Sequence, residues 1–360
     1  MQAIAVEQGR GRPAIRERER PDPAAGEVLV RTLRVGVDGT DHEVIAGTHG
    51  EFPAHEEYLV LGHEAVGVVE DGGSTRFSAG DVVVPTVRRP PPGEENGYFE
   101  RGEPDMAPAG QYLERGIVGA HGYMAEYFVT DAAFLLEVPP SLADVGFLVE
   151  PLSIAVKAVE LATASRSSFT WHPESAAVLG NGSLGLLTLA YLKRVKGYDR
   201  LYCVGRRDRP DPTIDIIEEL GATYVDSRET PVSEIPDAHE PVDLVFEATG
   251  YAKHAFEAID ALAPNGVGAL LGVPEPWEFE VDGGRLHREM VLHNKALVGS
   301  VNSRARHFEA SAEALSAFPG WFFDRLVTGI CGLDDLAAAF DDDDTTIKTA
   351  VQFSEYEERR

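Results

Sequence analysis

The run Val178-Leu179-Gly180-Asn181-Gly182-Ser183-Leu184-Gly185-Leu186-Leu187 constrains the fold of this chain more than any other. It fits G-x-G-x-x-G between a short apolar segment and a helix-compatible one. Gly180 permits a tight turn, Gly182 lets a backbone approach a pyrophosphate, and Gly185 lets helix and strand pack closely. The start of the following helix offers unpaired N–H groups and a partial positive charge to an anion. Alone the motif is weak, since a glycine-rich turn with no ligand reads the same way. Here it sits in a series. Strand-like runs at 176–179, 201–204, 222–225, 244–247, 268–271 and 296–300 follow one another, with helix-like segments at 183–196 and 212–220. That alternation predicts an α/β fold with a doubly wound parallel sheet. Gly180, Asn181, Gly182, Ser183, Leu184 and Gly185 become candidate cofactor contacts.

The end of the second strand bears on which dinucleotide binds. An acid there holds the ribose 2′-hydroxyl of NAD. This chain reads Gly205-Arg206-Arg207 instead. A small residue and two guanidinium groups suit a 2′-phosphate, so NADP is expected, through Arg206 and Arg207. Asp208 follows and keeps NAD open; a solvated turn is the bland alternative.

The flanks differ. Residues 1 to about 85 read as strands joined by glycine-marked turns, an all-β opening. Residues 86–116 are polar and rich in Gly and Pro, a surface lobe of the kind that often carries function. Strand texture resumes at 123–129 and helical spacing begins at Phe147. Beyond 303, segments 308–317 and 333–340 look helical, and 345–353 reads as a strand that returns to the N-terminal part. The expected domains are 1–155, a β-rich catalytic domain; 156–303, a dinucleotide-binding Rossmann domain; and 304–360, the return. The acidic run from Asp341 to Asp344 is expected to be a solvated turn.

Length and charge exclude several function classes. The chain has 360 residues, 43% of them hydrophobic, enough for two cored domains. Its formal net charge of -28 argues against nucleic acid and anionic membrane surfaces, which need basic patches. Only six of its 32 basic residues are Lys. Such a density of negative charge suits a high-salt solvent, where screening acts over about 3 Å at 1 M. Stability that falls on desalting is the expectation. Cys203 and Cys331 form no framework and fit a reducing compartment. The N-terminal apolar run is short for a signal peptide, and no run approaches the roughly 20 residues of a membrane span. A cytoplasmic protein is expected.

The stretch from Gly36 to Glu64 packs Asp38, Thr40, Asp41, His42, His63 and Glu64 together. Oxygen and imidazole donors at such spacing can hold a divalent metal.

These residues, with Arg115-Gly116-Ile117, His121-Gly122-Tyr123-Met124, Glu150-Pro151 and the Gly180 to Gly185 fingerprint, resemble the zinc-dependent medium-chain dehydrogenase/reductase family over nearly the whole chain. The likeness is strongest to glucose dehydrogenases of halophilic archaea. It implies a GroES-like N-terminal domain and one catalytic zinc. Most relatives place a cysteine where this chain has Asp38. By resemblance, Asp38, His63 and Glu150 are zinc ligands, and Glu64 is a ligand or a partner of the bound water. Asp41 and His42 fall to scaffold, with His42 on a proton path. Residues 86–125 hold no cysteine, so the structural zinc of many relatives is not expected. The resemblance also implies that Thr40, Glu114, Glu150 and Asn302 touch sugar. Leu271, Gly272 and Val273, with Val301, Asn302 and Ser303, would line the nicotinamide half of a cleft. The implied reaction takes a hydride from C1 of β-D-glucose to NADP, or to NAD, and leaves the 1,5-lactone. The proton would leave through Thr40, the cofactor ribose or Glu64. A homodimer or tetramer is expected. The rival readings are another polyol, alcohol or threonine dehydrogenase of the same family, and a zinc-free NADPH-binding protein without activity.

Overall fold

A computed structural model describes every residue except 10, 94, 342 and 358–360. Asp342, within the acidic run expected to be a turn, therefore lies outside the described residues. Its neighbour Asp343 accepts hydrogen bonds from the backbone and hydroxyl of Thr345. The chain divides into two compact units. One comprises Met1–Ser153, Asn302–Ser316 and the chain from Val327 onward; the other comprises Ile154–Val301 and Ala317–Leu326.

The first unit is built on a seven-stranded sheet. Its centre is the long strand Glu27–Val37, apolar at most positions and buried at eight of its 11 residues. Glu64–Asp71 and Lys348–Gln352 flank it, both antiparallel to it. The register sets Gly36 opposite Glu64 on one side and opposite Ala350 on the other. The closing strand is thus a direct neighbour of the N-terminal core. A smaller sheet joins Arg88–Arg89, Leu113–Arg115 and Gly119–Ala120, so the polar lobe is ordered through short strands.

The all-β expectation for the opening fails at one place. Gly39–Ala46 is a helix. Its apolar pattern is weak, but its ends are strongly marked. Asp38 and Asp41 form a reciprocal capping box, and Gly47 closes the helix in the left-handed region at φ 73°. End chemistry, rather than an apolar stripe, makes this helix. The helices Gly283–Leu292 and Gly320–Leu326 and the strand Val327–Cys331 also went unread in the sequence.

The second unit holds a six-stranded, all-parallel sheet. Its order is Thr223–Asp226, Arg200–Gly205, Ser175–Leu179, Val242–Glu247, Leu262–Leu270, Ala296–Gly299. Strand order reverses between Ser175–Leu179 and Val242–Glu247, and folds of this kind bind ligands beyond the carboxyl ends at that switch. Burial on both faces explains why the central strands read as continuous apolar runs; Ser175–Leu179 is buried at every position, while the edge strands Thr223–Asp226 and Ala296–Gly299 are only partly buried. Leu179, Val204, Val225, Val245 and Ala258 share one apolar core there. No helix among the described residues is long and apolar enough to cross a membrane.

Candidate active site and nucleotide cradle

Asp38 does two jobs with one carboxylate. As N-cap of the helix Gly39–Ala46, its Oδ1 accepts from the Asp41 backbone N–H at 3.0 Å. Its Oδ2 is left facing inward, 3.6 Å from His63 Nε2, and accepts from the Thr40 hydroxyl at 3.1 Å. Asp41 completes the turn: its Oδ2 accepts from Asp38 N–H and its Oδ1 from Gly62 N–H. That second bond fixes the turn carrying His63 against the helix start. Both Asp41 oxygens accept backbone hydrogen bonds in this geometry, while its carboxylate still adds charge to the group.

His63 and Glu64 follow at the start of the next strand, and Glu150 opens the helix Val149–Ala164. His63, Glu64 and Glu150 are all buried, and donor atoms from the three lie within 4.8 Å of one another. Asp38, Asp41 and His63 meet the same limit. The imidazole is the member common to both groups. Ser153 Oγ donates to the Glu150 carbonyl at 2.5 Å and lies 2.5 Å from Ser303 Oγ, so Ser303 is the donor in that pair.

The electrostatics of the cluster are those of a site short of positive charge. Burial would raise Asp38, but His63 and then Lys348 outweigh it and hold its carboxyl well below the usual range. Burial pushes Glu150 up to about 8, opposed by His63 and reinforced by Glu64 and Asp38. Burial and the Asp38 charge push Asp41 up to about 7. His63 is raised, because Asp38 overcomes the burial that would lower it. His63 Nδ1 is buried with no hydrogen-bond partner. Nitrogen and oxygen donors converging on one buried point fit a divalent cation such as zinc, with oxygen in place of sulfur making the site harder.

One participant escaped the sequence reading. Lys348 is 2% exposed and its Nζ lies 2.5 Å from Glu64 Oε2 while donating to the Val37 carbonyl at 2.8 Å. Burial alone would lower its pKa, but Glu64 and Asp38 raise it. Glu64 thus carries a lysine countercharge from the protein, and Asp38 draws on both His63 and Lys348. The signal was faint but present: one of only six lysines, set inside an otherwise strand-like run.

The other sugar candidates also meet. Glu114 is buried, and its Oε1 accepts from Arg88 Nε at 2.9 Å and from Asn302 Nδ2 at 3.2 Å. Asn302 holds a left-handed backbone, φ 55°.

In the second unit the fingerprint takes the expected form. Gly180 has φ 112°. A Cβ on Gly185 would stand 1.9 Å from the Gly180 carbonyl, so helix–strand contact excludes one. Gly182 is N-cap of the helix Ser183–Arg194 and no side chain caps it. Outside its chain neighbours and its own helix, no atom of the described residues lies within 4 Å of the place its Cβ would take. An uncapped helix start facing open space fits a phosphate cradle. Asn181 is tied by its amide to the Thr213 hydroxyl at 2.6 Å. Arg206 is exposed at the end of its strand, and Arg207 is anchored by its backbone N–H to the Tyr224 hydroxyl. Asp208, which left NAD open, pairs with Arg228 at 2.6 Å. Leu271 and Gly272 directly follow the fifth strand, Val273 is 84% exposed and Val301 57%. Ser303, by contrast, is buried in the first unit against Ser153.

A β-rich unit with a buried carboxylate–imidazole cluster, and a doubly wound unit with a dinucleotide cradle, define a medium-chain dehydrogenase. A family model for the alcohol dehydrogenase GroES-like domain matches residues 24–140, and one for the glucose dehydrogenase C-terminus matches residues 143–353. The glucose 1-dehydrogenase of Haloferax mediterranei is 66% identical over 98% of this chain and 99% of its own. That of Halobacterium salinarum is 64% identical over 98% and 99%. The Haloferax mediterranei glucose dehydrogenase solved in complex with NADP, Zn and gluconolactone superposes with a TM-score of 0.97 at 65% identity, covering 99% of this chain and 100% of that one. The chain belongs to the glucose dehydrogenase family of zinc-dependent medium-chain dehydrogenases.

Proposed function

We propose that this protein is a glucose 1-dehydrogenase that oxidises β-D-glucose at C1 to the 1,5-lactone with NADP as preferred acceptor. The observation that carries the reading is buried His63, shared between half-buried Asp38 at 3.6 Å and the buried group it forms with Glu64 and Glu150, in a chain 66% identical to a glucose 1-dehydrogenase. Asp38, His63 and Glu150 would hold the metal, and Glu64, occupied by Lys348, serves as its neighbour and electrostatic partner. A zinc ion held there supplies Lewis acidity that stabilises negative charge on a sugar oxygen. NADP, on the Gly180–Gly185 cradle with Arg206 and Arg207 at its 2′-phosphate, supplies the hydride acceptor.

The chain's own residues do the rest. Thr40 spends its hydroxyl hydrogen on Asp38 Oδ2, which leaves its oxygen lone pairs to accept from the sugar hydroxyl that loses its proton. Glu114 and Asn302 offer a carboxylate oxygen and an amide hydrogen to other hydroxyls, and so orient the ring. Glu150 keeps a buried carboxyl beside His63. Leu271, Gly272, Val273 and Val301 offer the cofactor apolar and backbone surface.

We extend the reading to a cytoplasmic homo-oligomer. Free Cys203 and Cys331 support a reducing compartment, and the outer strand Ala296–Gly299, with exposed Val291 and Leu292 nearby in sequence, supports a dimer or tetramer. Light scattering reads the second point.

The test is an assay in molar salt of glucose, other aldoses, polyols and simple alcohols, with NADP and NAD, before and after chelation and zinc return. Glucose with NADP should be fastest and should depend on zinc. A polyol or alcohol preferred over glucose would place the chain elsewhere in the family, and a metal-free protein without turnover would make it a binder.

A further inference from the structure

We infer that Arg88 is a positioning residue for sugar recognition, the group that aims the Glu114 carboxylate. The inference rests on the glucose reading, in which Glu114 contacts the substrate.

The geometry begins with strand register. Arg88 and Glu114 are directly opposed partners of an antiparallel pair, so their side chains leave the same face. Arg88 Nε donates to Glu114 Oε1 at 2.9 Å, and both side chains are nearly sealed from solvent, at 3% and 10% exposure. The guanidinium is itself immobilised. Its Nη1 donates to the Pro104 carbonyl at 3.1 Å, and its carbon sits 3.6 Å from the centroid of the Tyr112 ring. A buried charge with this many fixed partners does not swing.

The division of labour on the carboxylate follows. Both donors, Arg88 and Asn302, act on Oε1. Oε2 accepts no hydrogen bond among the described residues, and it is the atom left for a sugar hydroxyl. Asn302 is fixed in turn: the next residue but one, Arg304, pairs with Glu103 at 3.4 Å and approaches Asp105 at 3.6 Å, both in the same lobe as Glu114. Without Arg88 a buried carboxylate would lose its countercharge and turn toward other donors. Lysine would keep the charge but lose the planar fork and the stacking on Tyr112.

The experiment compares wild type, Arg88→Met, Arg88→Lys and Glu114→Gln on glucose and on each of its monodeoxy analogues. Melting temperature and the KM for NADP serve as controls. Arg88→Met should lower kcat/KM for glucose about tenfold or more, chiefly through KM, from loss of a charge-assisted bond. It should also flatten discrimination against the same deoxy analogue that Glu114→Gln flattens, with the NADP KM unchanged. Arg88→Lys should fall between. If Arg88→Met does not fold, Arg88→Lys carries the test through the same analogue. A folded variant with the wild-type deoxy-sugar profile overturns the inference. Wild type that ignores glucose overturns the functional reading instead; the profile is then read on the substrate it does turn over.

Discussion

Lys348 Nζ and Glu64 Oε2 stand 2.5 Å apart inside the first unit, and the space that lets them meet is the missing side chain of Gly36. Gly36 lies on the strand between theirs. A Cβ there would sit 2.1 Å from Glu64 Oε2 and 3.2 Å from Lys348 Cε. The closing strand thus delivers a cation to the residue that follows His63, from more than 280 positions away in sequence.

Lys348→Met should therefore strip a buried carboxylate of its partner. A loss of about 3–5 kcal/mol in unfolding free energy is expected, because an uncompensated buried charge costs more than the pair gains. Gly36→Ala should destabilise as well, by forcing Glu64 aside. Denaturant titrations in molar salt measure both, and a cost below about 1 kcal/mol for Lys348→Met would mean that Glu64 is neutralised another way.

Two neighbouring glycines should separate folding from cofactor binding. Gly185→Ala meets the Gly180 carbonyl and should lower both melting temperature and NADP affinity. Gly182→Ala meets nothing in the protein, so it should fold normally while NADP affinity drops about tenfold or more, because its methyl enters the cradle. Cofactor fluorescence titration alongside a thermal melt reads the contrast. Equal affinity in Gly182→Ala and wild type would remove the pyrophosphate from that turn.

Asp208 is matched by Arg228, so its carboxylate does not cancel Arg206 and Arg207. The double variant Arg206→Ala with Arg207→Ala should raise the KM for NADP far more than that for NAD, with the gap narrowing as salt screens the 2′-phosphate. Equal effects on the two cofactors would end the argument for NADP preference.

His121 gives the protein an acid-sensitive point that is not one of the candidate metal ligands. Burial, then the Arg18 charge, lowers its pKa to about 4 from 6.5, while Glu56 pulls the other way. The unfolded chain therefore binds more protons than the folded one between those values. Stability should be fully present above 6.5 and fall as pH drops toward 4, with up to about one proton taken up on unfolding. His121→Gln should make that stretch of the stability curve shallower. An unchanged slope would show that the imidazole titrates freely.

Legibility in the sequence tracked how local each cause is. The Gly180–Gly185 turn was readable because its glycines recur at a short spacing between a strand and a helix, Gly180 for its positive φ and Gly185 for its close approach to the Gly180 carbonyl. The central parallel strands were readable because burial on both faces leaves continuous apolar runs. The helix after Asp38 was not, since two capping carboxylates rather than an apolar period define it, and those same carboxylates invited a purely chemical reading. Lys348 and Arg88 were hard to read for a different reason. Their meaning depends on strand register, Lys348 across Gly36 and Arg88 opposite Glu114, and register is a long-range property. Arg88, in a polar lobe, looked like solvated surface; stacking on Tyr112 and burial make it interior.

The measurement that bears most directly on the account is zinc content, glucose-driven NADPH formation and NADP affinity in Asp38→Ala beside wild type, all in molar salt. Wild type should retain one zinc per chain through dialysis and turn over glucose. The variant should lose the metal and the turnover together, with NADP affinity nearly unchanged. An Asp38→Ala protein that still carries stoichiometric zinc and oxidises glucose at the wild-type rate would contradict the account.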